Sequence, residues 1–140
     1  MENASAGSAD PNLTRIYFLA RTSIALAWIY HGLVPKVIWR DWSEMTLLHD
    51  MSVDIQFVPA LLQTMGMGEI LFGVLVLAIP RLRWPLWATI GIMLGGVLGI
   101  ASHSPAMLHA AFNPVSLNGL MVVMAVIALI SQPPPVTKAS

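Results

Sequence analysis

Four long apolar runs dominate this chain, at residues 15–36, 57–79, 86–102 and 115–130. Each is near the roughly 20 consecutive apolar residues that a helix needs to cross a bilayer, and the fourth is the shortest. A soluble core does not need such runs, and a water-facing surface needs charge. Only 10% of the 140 residues are charged, against about 25% in soluble domains. Within lipid every backbone amide must find a partner inside the structure, so the runs are expected to be helices. A β-barrel would need roughly ten-residue segments of alternating polarity, which these runs lack. The expected fold is all-α: a membrane four-helix bundle forming one domain, with no internal repeat.

The connections are short, with one exception. Residues 80–85 form a tight turn with a proline at each end, and residues 104–114 form the last link. The stretch 37–56 is longer. There Met45, Leu48 and Met51 recur at helical spacing among Asp41, Glu44 and Asp50, which predicts a short helix lying in the membrane interface. Residues 1–13 lack the basic start and apolar core of a signal peptide. Residues 132–140 carry three consecutive prolines. Both read as disordered tails flanking a transmembrane domain at 14–131.

Four spans would place the two ends and the Arg81–Arg83 turn on one side. Arg15, Arg81, Arg83 and Lys138 gather there, whereas Lys36 and Arg40 on the other side lie beside several acids. Positive charge stays in the cytoplasm, so both termini are expected there. Trp84 and Trp87 would mark the inner interface, and Trp39 and Trp42 the outer one.

Composition excludes several classes of function. Seven basic and seven acidic residues cancel, and there is no cysteine. Nothing suggests nucleic acid as a partner. Disulfides, thiol relays, iron–sulfur clusters and cysteine-based zinc sites are ruled out. The sequence has no phosphate loop, dinucleotide fingerprint, nucleophile elbow or zinc-protease helix. Asp41, Glu44, Asp50 and Asp54 with His49 match no metal-binding loop and read as a solvated face, so no metal is expected.

Polar residues inside the runs carry the functional reading. Gly66, Glu69 and Gly73 share one face of the second run. A charged carboxylate at mid-membrane costs about 2.5–3.5 kcal/mol on insertion scales. Glu69 must therefore face the bundle, as a proton carrier, as an anchor for a ligand's polar head, or as a neutral acid joining helices. Arg21 could snorkel to the near surface or reach Glu69. His31, His103, Asn113 and Asn118 come from three runs at one level, above Glu69, and together form the candidate ligand site. Two histidines on different helices are also a haem donor set, but nothing turns both inward, and haem is not expected. Gly91, Gly95 and Gly99 form a bare stripe suited to helix packing, with His103 next along it.

The chain resembles the DoxX-like family of small bacterial membrane proteins. The likeness rests on the TyrHisGlyLeuValProLys string at 30–36, on GlyMetGlyGlu at 66–69 with Gly73, and on PheAsnProValSerLeuAsn at 112–118. It covers about residues 14–131. It implies a four-helix protein of the bacterial inner membrane, in a wider family named for a subunit of a thiosulfate:quinone oxidoreductase. By this resemblance His31, Lys36, Glu69 and Asn113 occupy the family's polar motif positions. With no cysteine and no partner domain here, the resemblance alone does not carry sulfur chemistry over to this chain.

Three functions follow as expectations. The leading one is a redox-associated subunit that binds a quinone or another lipid-soluble ligand between its helices. The second is a non-catalytic anchor or assembly partner for another membrane protein or enzyme, or for further copies of this chain. The third and weakest is transport of a small solute or a proton. No catalytic motif is present, so the most enzymatic reading is a subunit of a membrane oxidoreductase.

Overall fold

The computed structural model describes residues 10–111 and 113–133. These form five α-helices and no strand: α1 (Pro11–Gly32), α2 (Trp42–Asp50), α3 (Val58–Ala78), α4 (Trp84–His103) and α5 (Pro114–Ile130). A π-helical turn, Leu33–Ile38, extends α1, and a 3₁₀ turn, Pro105–His109, joins α4 to α5. The expected all-α class is observed.

Local chemistry sets the helix starts. Asp10, Asp41 and Asn113 each accept a hydrogen bond from the first turn of α1, α2 and α5. Proline occupies the first or second position of α1, α3, α4 and α5, where its missing N–H costs nothing. Two boundaries shift accordingly. The α1 helix begins at Pro11, so residues 11–13 are not part of a disordered tail. Trp84 and Pro85 open α4 and do not belong to the preceding turn. The rest of the two expected tails, residues 1–9 and 134–140, lies outside the described residues, as does Phe112.

The α1 helix is the centre of the molecule. It packs between α3 and α5, α5 packs on α4, and α3 touches α4 only lightly. Tyr17, Ala20, Ile24, Ala25 and Trp28 lie along one broad face of α1 and meet Val76, Leu86, Met121, Ala125 and Ala128. The small residues in this set bring backbones close. Glycine brings α1 and α3 closer still. A Cβ on Gly73 would lie 2.7 Å from the Ala25 carbonyl, and one on Gly66 would lie 2.7 Å from the Gly32 carbonyl. A smaller cluster, Leu48 with Val58 and Leu62, seats α2 on α3.

Two helices, α3 and α4, are long and apolar enough to cross a membrane. The α5 helix is equally apolar but has 17 residues, a length of about 26 Å at 1.5 Å per residue. The α1 helix is long enough but carries Arg15, Arg21 and His31. The outward faces are apolar, with Leu19, Leu71, Leu98 and Ile130 all exposed. So large an apolar exterior is not stable in water as an isolated surface.

Arg21 follows neither expectation. It is 2% exposed, so it does not snorkel. It also turns away from Glu69 and donates to the carbonyls of Val76 (2.7 Å), Ile79 (2.8 Å) and Leu82 (3.2 Å). These acceptors are at and just beyond the C-terminus of α3, where carbonyls lack helical partners and the helix dipole is negative. Tyr17 completes the cap by accepting from Arg21 at 2.8 Å and donating to the Pro80 carbonyl. Arg83 serves α5 similarly, donating to the Leu129 carbonyl at 2.9 Å.

The glycine stripe of α4 faces outward: a Cβ on Gly91, Gly95 or Gly99 would meet nothing within 4 Å among the described residues. The tight glycines are those of the α1–α3 contact. Gly73→Val should therefore destabilise the fold by about 1–3 kcal/mol through overpacking. Gly95→Ala should leave the isolated chain within about 0.5 kcal/mol of wild type. Unfolding titrations in mixed micelles would measure both.

Candidate functional site

The site begins with Pro35. Proline has no N–H to offer the carbonyl one turn back, so the α-helical ladder cannot continue through it. The chain widens into the π turn, closed by the Trp39 N–H on the Val34 carbonyl at 2.9 Å. Such wide turns recur at functional positions. Here the turn carries Lys36 and aims it inward, leaving the residue 4% exposed.

Gly66 makes that burial sterically feasible. A Cβ there would lie 2.8 Å from Lys36 Cβ, so only glycine lets the lysine stem cross α3. One turn further along α3, Glu69 receives the ammonium. Lys36 Nζ is 2.9 Å from each Glu69 carboxylate oxygen. A second acid closes in from α2, with Glu44 Oε1 at 3.2 Å from Nζ. The two acid side chains keep 19% and 27% of their surface. One buried cation thus joins three elements: the π turn, α2 and α3.

Arg40 adopts a left-handed backbone (φ 49) just before α2, reversing the chain so that Glu44 returns over Lys36. At the other end of α2, Asp50 accepts a hydrogen bond from Ser104, fixing α2 to the end of α4. Beneath α2 lies a cavity of about 270 Å³. His31, Asp41, Glu44 and Asn113 give it a polar rim, and Ile100 and Leu117 are among its apolar walls. An open groove of about 360 Å³ between α3 and α4 is lined by Glu69, Trp28, Phe72 and Ile92.

The expected site residues therefore divide. Lys36 and Glu69 are in direct contact. His31 and Asn113 share the cavity, where Asn113 also caps α5 through Ser116 N–H at 2.9 Å. His103 is not with them; it is exposed, with its ring 3.0 Å from the Gly99 carbonyl of its own helix. Asn118 ties α5 to α4 through the Met93 carbonyl at 3.4 Å and does not line the cavity. Glu69 opens to the groove, not to the cavity.

Glu44 is the residue that the sequence did not single out. It is third in α2 after the Asp41 cap, a position where glutamate commonly serves the helix end. That local role hides its partner on another element. Asp41 and Asp54 make ordinary local bonds, to Ser43 and Gln56. The stretch 41–54 is therefore not wholly a solvated face: Glu44 pairs with Lys36, and Asp50 tethers α2 to Ser104.

A family model described as the DoxX-like family matches residues 25–126. That range contains every residue of the ion cluster and both cavities. No curated protein and no solved structure matches the chain.

Removing the one cation leaves two partly buried acids unbalanced. Lys36→Met should cost on the order of 3–5 kcal/mol. Adding Glu69→Gln should recover part of that loss, because the two changes remove one interaction. Unfolding titrations of the single and double variants would show this as non-additivity; fully additive losses would remove the pair from the stability of the fold.

Proposed function

The chain belongs to the DoxX-like family, and from that premise we propose a four-span membrane protein that binds a lipid-soluble molecule by its polar head. The observation that carries this reading is the cavity under α2, where His31, Glu44 and Asn113 converge above apolar walls. Its volume, about 270 Å³, is just under the usual range for small-molecule pockets. It suits a single ring or head group whose apolar remainder lies between helices. A quinone has that shape and accepts hydrogen bonds from groups such as His31 and Asn113. Binding one would give the protein a place as a subunit of a membrane oxidoreductase.

The four spans are α1, α3, α4 and α5, with α2 at the interface. The apolar exterior supports this, and α1 can span because Arg21 is buried against carbonyls while the exposed Arg15 lies in its second turn, near the helix end. Exposed Trp84 and Trp87 begin α4, and exposed Trp39 and Trp42 follow the π turn, which fits two interfacial belts. Arg15, Arg81 and Arg83 on the side of the termini favour an inner-membrane orientation with both ends in the cytoplasm.

A second reading rests on the α4 stripe. Gly91, Gly95 and Gly99 leave a face open to another helix, from a partner protein or another copy. Assembly with a partner is compatible with the ligand reading.

A short-chain benzoquinone added to the protein in nanodiscs should quench tryptophan fluorescence saturably, since Trp42 stands between Asp41 and Ser43, which line the cavity. His31→Ala and Glu44→Gln should each weaken binding at least tenfold, about 1.4 kcal/mol, with the fold intact. Quenching that never saturates, or that is unchanged in both variants, would remove the quinone reading.

A further inference from the structure

Glu44 and Glu69 open onto different spaces, and the Lys36 ammonium stands between them. Glu44 lines the cavity under α2, whereas Glu69 lines the groove between α3 and α4. The two spaces have no lining residue in common. Nζ lies 3.2 Å from Glu44 and 2.9 Å from Glu69, so the three groups form one chain of polar contacts from cavity to groove.

Charge decides what that chain holds. One ammonium balances one carboxylate, and the other would leave an uncompensated negative charge on a partly buried group. The further titratable groups facing the cluster are His31 and Asp41, both on the cavity side. Neither α4 nor α5 contributes a titratable lining residue to the cavity or the groove. Among the described residues no lysine or arginine lines either space.

We propose that Glu44, Lys36 and Glu69 together hold one exchangeable proton, forming a proton-holding bridge between the cavity and the groove. With that proton the cluster is neutral: one ammonium, one carboxylate and one carboxylic acid. The proton changes sides in a balanced way. Lys36 gives a proton to Glu69 and takes one from Glu44, so the ammonium is restored and the net charge stays at zero. Each acid exchanges only with its own space. The bridge thus suits a molecule that gains or loses a proton at one side, and it does not rest on which ligand enters the cavity.

The test is infrared spectroscopy of the full chain in nanodiscs at pH 7, where exposed acids are ionised. The wild type should show a carboxylic-acid carbonyl band of one group per chain. That band should move on labelling glutamate carboxyls with carbon-13. Glu44→Gln and Glu69→Gln should each abolish it, because the remaining acid then pairs one-to-one with Lys36. Asp54→Asn should leave it unchanged. Absence of the band from folded wild-type protein, or its survival in either glutamine variant, would overturn the shared proton. The wild-type result decides even if a variant fails to fold.

Discussion

The Lys36 ammonium is buried where water cannot reach it freely, and much of the structure is arranged around meeting that charge. A buried charge is tolerated only when it is paired and hydrogen-bonded. Pairing here requires three separate accommodations. Pro35 opens the helix into a π turn that aims Lys36 inward. Gly66 clears the path of its stem, and Gly32 lets α1 and α3 approach closely enough for Glu69 to receive it. The left-handed Arg40 then returns α2 so that Glu44 arrives from the third side. Lys36 also gives α2 a polar anchor beyond its modest Leu48 contact.

The two ends of the helical assembly solve the same problem with different chemistry. At the end near the helix α1 start, Arg21 is matched by backbone carbonyls and by Tyr17. The backbone carbonyls carry no exchangeable proton, and neither the cavity nor the groove is lined by this group. Its role is to complete the end of α3. At the other end Lys36 is matched by two carboxylates, which can take up protons and which border open space. Lys36, not the more deeply enclosed Arg21, is therefore the cation joined to groups that border open space.

Much of the architecture was legible because it is written locally. Apolar runs mark the long helices, and Pro11, Pro59, Pro85 and Pro114 sit where helices begin. Gly66, Glu69 and Gly73 could be placed on one face by spacing alone, and the strings around His31, Lys36 and Asn113 carried the family resemblance. What failed was non-local. Arg21 finds carbonyls, and a helix end offers those without any sequence mark. Glu44 occupies a capping position that explains it without a distant partner. The stripe at Gly91, Gly95 and Gly99 has the spacing of a packing face and meets no neighbour among the described residues, so spacing alone does not say what would pack there. The Gly32–Gly66 crossing does, and it needs two helices to be recognised.

The chain has only two lysines, Lys36 and Lys138, and three glutamates, Glu2, Glu44 and Glu69. That sparseness makes one measurement direct: solid-state NMR of protein in lipid, with side-chain nitrogen-15 in lysine and carboxyl carbon-13 in glutamate. Dipolar transfer from the Lys36 ammonium should reach two distinct glutamate carboxyls, one lost in Glu44→Gln and the other in Glu69→Gln. Transfer to a single carboxyl, or to none, would contradict a lysine shared by two acids.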